Sequence, residues 1–313
     1  MPPTTPFTFY LDWLVCAQFA GIIWAKDHGL YEARGLDVTV VPWYDDGRSV
    51  IDKVIAAASD GEMCAGCAED NLVVSRFSAE ESVQVFGAML QESPLVVMSR
   101  SNQCIRNIAD LRGKRVGMHA DGIRALEIVL TLEGISTSDL VVDEVGFDLE
   151  HLRQGRFDAL QGYAMTEPVQ LAAMGVGVDV TPVKHLQLNP YAQVYFSETM
   201  LLARYRQKFA DFLAASSAGW LAVCARPEEG AGVVSRLMTE NIGMGDRRGT
   251  EREQRRSLER LIPFVLGELP VERVGGIETG QWKRNLDSYF EFDVIDRRLD
   301  VADVVFDLGR PSE

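Results

Sequence analysis

Along the first ninety positions, apolar residues switch between a period of two and a period near 3.6, the signatures of half-buried strands and amphipathic helices. Phe7 to Leu11 reads as a strand. Apolar positions Phe19, Ile22, Ile23 and Leu30 then read as a helix, with Gly29 suited to its C-terminal end. Leu36, Val38 and Val40 alternate with polar neighbours into a second strand, and the DDG at Asp45 opens a helix with an inward face of Val50, Ile51, Val54, Ile55 and Ala58. MCAGC, EDNLVVSRF and VQVFGAML continue as strand, helix and strand. The order is that of a β-α-β-α-β half built on a parallel sheet.

The pattern restarts at PLVVMSRS, with a short helix around Ile108 to Leu111, a GKRVGM strand, and a helix carrying Ala125, Ile128, Val129 and Leu132 that Gly134 ends. LVVDEVGF and ALQGYAM read as further strands, and this half extends to about Tyr191. After QVYFSETMLL the chain turns helical, with one amphipathic helix through Phe209, Phe212, Leu213, Trp220 and Val223 and another through Val233, Val234, Leu237 and Met238. RRGTEREQRRSLER reads as a solvated helical face. The expected fold class is therefore α/β with two lobes, each a mostly parallel sheet flanked by helices, followed by a helical C-terminal region. Residues 1–92 and 193–313 would form lobe 1 and residues 93–192 lobe 2. A ligand cleft between the lobes follows from that layout.

Composition narrows the function classes. The formal net charge of -15, from 31 basic and 46 acidic residues, repels nucleic acid and anionic membranes. No apolar run reaches the length of a transmembrane helix. The start, MPPTTPFTFYLDW, lacks the basic and apolar regions of a secretory signal, so a cytoplasmic location is expected. The alternative is a periplasmic or lipid-anchored extracellular protein whose leader was removed. Five cysteines, an odd number in a chain with ample core, argue for free thiols over a disulfide framework. Cys64 and Cys67 form one CxxC with no second pair or histidine cluster beside it, so buried packing is expected and no metal site.

Five segments together carry a family resemblance: LDW, AGIIWAKDHGLYEARGLDV, DLRGKRVG, GFDLEHLRQGRFDALQGYAMTEPVQLAAMG and VYFSETML. In their order and spacing they resemble the type II periplasmic-binding-protein fold. They are similar in particular to the solute-binding group for pyrimidine precursors of thiamine, which includes the fungal thiamine-pyrimidine synthase.

The resemblance implies that Asp12 and Trp13, at a strand end, line the cleft. A planar heteroaromatic ring can stack on the indole while the carboxylate accepts from its N–H groups. Core packing for Trp13 and helix capping for Asp12 are the alternatives. Phe19 stands where the group usually has a histidine, exchanging a polar handle for a stacking face. Glu167, in AMTEP, matches the group's TNEP glutamate, its alternative being the first-turn acid of a helix begun by Pro168. Tyr191 falls where a crossover aromatic is expected, either over the ligand or packed at the hinge. Trp43 and Tyr44 would extend the wall, with core packing expected for at least one. Glu69 and Asn71 begin a helix as contacts or caps. His119 and Gly122 open a helix whose N-terminal amides favour an anion, to which Arg124 would add charge.

The expected function is a solute-binding protein for a small planar nitrogen heterocycle, with an ABC transporter permease as partner or a sensing role, and without cofactor. The competing class is an enzyme on the same fold. One form is synthase-like, but Gly66 and Asp70 stand around the positions of that enzyme's pyridoxal-phosphate lysine and substrate histidine, so no amine is available for a Schiff base. The other uses Cys16 as nucleophile, as in the aromatic sulfinate desulfinases that carry a first-loop cysteine; a thiol before a helix gains thiolate character. An inert small residue is the plainer reading of Cys16.

Overall fold

Alternation in TPFTFY buries Phe7 and Phe9 on one face of β1 (Thr5–Tyr10). The computed structural model describes residues 4–44, 46–240, 250–268 and 270–309. It divides into two units. The first holds the described residues of Met1–Glu92, Pro190–Leu258 and Ile262–Glu313; the second holds Ser93–Asn189 and Glu259–Leu261.

In the first unit β1 is followed by α1 (Ala20–Asp27), β2 (Leu36–Val41), α2 (Val50–Ser59), β3 (Cys64–Ala68), α3 (Asp70–Ser78) and β4 (Val83–Ala88). Gly29, just past α1, takes φ +68, which a side chain would strain. Asp45, expected to help open the second helix, lies outside the described residues. α2 is started instead by a reciprocal cap: Ser49 Oγ accepts the Asp52 N–H at 3.1 Å and the Asp52 carboxylate accepts the Ser49 N–H at 3.1 Å.

The second unit runs β5 (Leu95–Arg100), β6 (Arg115–Met118), α4 (Ala120–Leu132), β7 (Val141–Glu144), α5 (Glu150–Arg153), β8 (Ala159–Tyr163), α6 (Glu167–Ala173) and β9 (Val178–Pro182). Its sheet order is β7-β6-β8-β5-β9, and β5 pairs antiparallel with both neighbours. Val96, Met98, Leu152, Phe157, Leu160 and Leu171 fill the core beneath it.

The chain then supplies β10 (Val194–Glu198), α7 (Thr199–Arg204), α8 (Arg206–Ala225), α9 (Pro227–Glu240), α10 (Glu251–Leu266, apart from Glu259–Leu261), α11 (Thr279–Glu291) and α12 (Val301–Val304) to the first unit. The sheet order there is β2-β1-β3-β10-β4. β10 is antiparallel to β3 and β4, so four strands run one way and one opposes them, as in the other sheet. VYFSE, singled out in the sequence as part of the family resemblance and not as a strand, is thus the inserted strand of the first sheet. Residues 247–249 of the charge-rich stretch lie outside the described residues; the helix after them is not wholly solvated, for Leu258, Leu261 and Val265 are fully buried.

Phe212 of α8 organises the aromatic core. Its ring stacks on Phe7 at 4.7 Å and on Tyr31 at 5.3 Å, lies tilted to Phe9 at 5.0 Å, and meets Tyr195 edge-on at 6.0 Å. Neighbouring glycines let α8 lie against α1. A Cβ on Gly219 would sit 2.1 Å from the Gly21 carbonyl oxygen, and one on Gly21 would sit 2.3 Å from the Trp220 ring. Gly232 of α9 is open by contrast, with only a Glu251 carboxylate oxygen at 3.9 Å. Gly219→Ala is therefore expected to lower the unfolding free energy by about 1–3 kcal/mol through overpacking. Gly232→Ala should raise it by about 0.5–1 kcal/mol through helix propensity, and urea denaturation of the pair checks both signs.

Candidate functional site

The candidate residues of the first unit gather where its parallel strands end. Leu11 N–H donates to Val41 O at 2.9 Å and Trp43 N–H to Trp13 O at 3.1 Å, extending the β1–β2 pairing past both strands. This register brings the Trp13 and Trp43 indoles into a stack with centroids 5.6 Å apart and planes 24° apart, both rings half-buried. Tyr44 is exposed, and the nearly buried Lys53 places its Nζ 3.7 Å from the centre of that ring. The same ammonium donates to Tyr44 O at 2.9 Å and pairs with Asp46 at 3.1 Å, which pins the end of the aromatic wall.

Asp12, one residue before Trp13, is half-buried. Its Oδ2 accepts from Gln193 Nε2 at 2.7 Å and its Oδ1 faces the Cys67 thiol at 3.7 Å. Burial first, and the Asp12 charge second, push the Cys67 thiol well above its ordinary value. Cys64 is likewise raised, to about 12, mainly by burial, so both thiols of the CxxC are inert packing groups. All five cysteines are free. Cys16 is partly buried and precedes a three-residue 3-10 turn, Ala17–Phe19; α1 begins only at Ala20. The helix expected immediately after the thiol therefore starts four residues on.

Glu69 stands at the N-cap of α3 without a side-chain capping bond, and Asn71 lies in the first turn; both are partly buried at the end of β3. Between them Asp70, which sequence reasoning passed over as a ligand or packing residue, is fully buried. It accepts from Tyr289 Oη at 2.6 Å, Tyr191 N–H at 2.9 Å and Asn285 Nδ2 at 3.3 Å. Burial raises its carboxyl to about 6, against the lowering effect of those hydrogen bonds.

Two expected wall residues lie inside the first unit instead. Phe19 is 0% exposed, a core side chain at the entry to α1. Tyr191 is also 0% exposed and belongs to the first unit, its ring stacked on Trp282 at 5.7 Å and its hydroxyl accepting the Glu278 N–H at 2.9 Å. The structure packs its ring and hydroxyl inside the first unit, against Trp282 and the Glu278 amide. Both expected positions rest on the family resemblance, and distant residues near and in α11 enclose the second.

In the second unit His119, Gly122 and Glu167 lie at the carboxyl ends of β6 and β8. His119 is half-buried, with its ring 4.2 Å from the exposed Phe147, which the sequence reading had not singled out. Its backbone N–H donates to Gln161 Oε1 at 2.9 Å, and a Cβ on Gly122 would sit 2.1 Å from that same oxygen. The helix start expected to hold an anion is thus packed against a buried amide, and Gly122 makes room for it. Arg124 pairs with Glu127 at 2.9 Å. Glu167 is the first residue of α6, ahead of Pro168, and its Oε2 accepts the Tyr163 N–H at 2.6 Å. Burial raises its carboxyl above the usual range. Met165, two residues before it, is buried.

The positions of the synthase's lysine and histidine do not fit pyridoxal phosphate. Gly66 is closed in by Phe196 and Val54, each 3.0 Å from where its Cβ would be, and Asp70 is committed to Tyr289 and Tyr191. Neither offers an amine. Among the described residues no group of three or more His, Cys, Asp or Glu could hold a metal ion, and no helix is long and apolar enough to cross a membrane.

Two mixed five-stranded sheets flanked by helices, each with a single opposed strand, define the periplasmic-binding-protein fold. The periplasmic aliphatic sulphonate binding protein SsuA from Escherichia coli shares it, with a TM-score of 0.70 at 17% identity over 97% of this chain and 98% of that one. The chain belongs to the NMT1/THI5-like family, whose model matches residues 16–230. The riboflavin-binding protein RibY of Chloroflexus aurantiacus is 27% identical over 291 residues, covering 90% of this chain and 80% of the relative. A putative thiamine biosynthesis protein of Haemophilus influenzae is 29% identical over 158 residues, 49% of this chain and 48% of that protein.

Asp70 holds its proton more tightly folded than unfolded. Its contribution to stability is complete below about pH 4 and is lost as pH rises through about 6. The gap in unfolding free energy between the wild type and Asp70→Asn is expected to change by about 3 kcal/mol in that direction across the window, as read by urea denaturation at a series of pH values.

Proposed function

We propose that this is a solute-binding protein that holds a small planar nitrogen heterocycle at the carboxyl ends of its parallel strands, the usual ligand position of open α/β sheets. The observation that carries the reading is the partly exposed Trp13–Trp43 stack, with the partly exposed Asp12 next to Trp13 in the chain. An indole face supplies dispersion and stacking to a flat ring, and a carboxylate accepts its ring or exocyclic N–H groups. Tyr44 extends the wall, and Glu69 and Asn71 supply further polar contacts at the end of β3. The second unit carries its own candidate contacts, His119 and Glu167.

The names of the Chloroflexus and Haemophilus relatives support a nitrogen heterocycle, since riboflavin and thiamine each contain one. The periplasmic sulphonate binding protein supports a location outside the cytoplasmic membrane, and a ligand-binding component of an ABC-type import system from Staphylococcus aureus, which shares the fold, supports a role in delivery to such an importer. A binding protein needs aromatic walls and a few aimed polar groups, without an activated nucleophile.

Native mass spectrometry of the purified protein, followed by identification of any small molecule released on unfolding, is expected to find a planar nitrogen heterocycle. An aliphatic solute would overturn the reading. Trp13→Ala should weaken binding of the released compound by about 1–3 kcal/mol in calorimetry; unchanged affinity removes Trp13 from the site. Cys16→Ser is expected to leave that affinity nearly intact, whereas a turnover that the substitution abolishes would establish the competing enzymatic reading.

A further inference from the structure

The first sheet ends on β4, which pairs with β10 on one side and with no named strand on the other. Its sequence, VQVFGA, holds no charge and no proline, and Val83, Val85, Phe86 and Ala88 are buried. An uncharged apolar end strand with an open row of backbone groups is a template for pairing with another chain. The opposite end strand, β2, carries the usual protection: Asp37 is exposed on it and Lys26 Nζ donates to Val38 O. β4 has neither device.

Its outer side is met by distant parts of the chain instead. Val305 forms a parallel bridge with Val85, and the Phe306 N–H donates to Val85 O at 2.7 Å. Gln84 Nε2 donates to Asp303 O at 2.7 Å. At the far end of the strand the Ala88 N–H donates to Gly275 O at 3.0 Å, an approach that Gly87 permits, since a Cβ there would lie 2.8 Å from that oxygen. Arg206, the exposed first residue of α8, clasps the segment after α12. Its Nε donates to Leu308 O at 2.9 Å and its Nη2 to Asp307 O at 2.6 Å, while the guanidinium stands 6.0 Å from the centre of the Phe306 ring. The reciprocal Asp300–Asp303 cap fixes where that segment leaves α12.

We propose that residues 305–309 are a strap that occupies the outer edge of β4 and keeps the first sheet from taking on a strand of a second copy of this chain. Arg206 is the clasp that holds the strap closed. The occupant excluded is another β4, because two such edges from identical chains can pair antiparallel about a two-fold axis with uncharged residues facing each other.

Two full-length variants open the strap by different routes. Phe306→Pro removes the N–H that reaches Val85 without straining Val305, whose φ of -101 and ψ of 114 suit a residue before proline. Arg206→Gln releases the Asp307 and Leu308 carbonyls from an exposed position, so the core is untouched. Arg236→Gln, which loses an exposed pair with Asp27 on α1, controls for charge. In hydrogen exchange at low protein concentration, both opening variants should exchange about tenfold or more faster over 301–309 and 83–88, with β2 unchanged. In light scattering at rising concentration they should form dimers or larger species where wild type and the control keep their mass. Adding Gln84→Lys, a charge on the uncovered edge, should restore the wild-type mass. Faster exchange with no gain in mass shows that the edge takes no second copy and overturns the proposal. Unchanged exchange in both variants overturns the clasp and the strap together. Association that Gln84→Lys leaves intact lies on another surface and overturns it as well. None of these outcomes bears on the heterocycle reading.

Discussion

The antiparallel seating of β10 between β3 and β4 is the interaction on which the first unit depends. Without it β4 has no partner in the sheet, because β3 and β4 do not pair with each other. The insertion also sets what lies at the strand ends. A strand running against its neighbours begins where they finish, so the residues just before β10 arrive among the residues just after β1 and β3. That is how Gln193 reaches Asp12 across 181 positions and how the Tyr191 amide reaches Asp70 across 121.

Two carboxylates at those ends have different fates for a physical reason. Asp70 is fully enclosed and answered by a tyrosine hydroxyl, a backbone amide and an asparagine, yet burial still dominates and its carboxyl rises to about 6. It fastens the crossover and α11 to the start of α3. Asp12 is half-exposed and bound on one oxygen by an amide, which leaves it at the edge of the surface that the indoles form. One carboxylate is sealed inside the first unit, and the other stays partly accessible while its oxygens meet the buried Gln193 and Cys67.

Much of the fold was legible before any coordinates. Periods of two and near 3.6 located β1, β2, α2, α3, α4 and α8 to within a few residues, because each has one buried face and local chemistry at its ends, such as the Ser49–Asp52 cap. The candidate site was legible only as positions along the chain. Strand ends are readable from periodicity, so Asp12, Trp13, Trp43 and Tyr44 could be placed at them, and the family resemblance added Glu167. Phe19 was placed in the wall by the resemblance, which marks a position in the chain but not whether an apolar side chain there turns into the core.

What the chain order determined by itself is most of the alternating strands and helices of the two halves, the α/β class and the family, since these follow from short-range periodicity and from motifs each contained in one segment; β9, α11 and α12 had no such reading. The direction and place of β10, the burial of Tyr191 against Trp282, the Asp70 network and the Gln193 amide behind Asp12 were decided only by the tertiary structure. Each joins residues roughly ninety or more positions apart, and no local pattern encodes which distant donor will meet a given acceptor. The hydrophobic collapse that seats Phe212 under the sheet brings them together, and the hydrogen bonds then follow from geometry that no window of sequence contains.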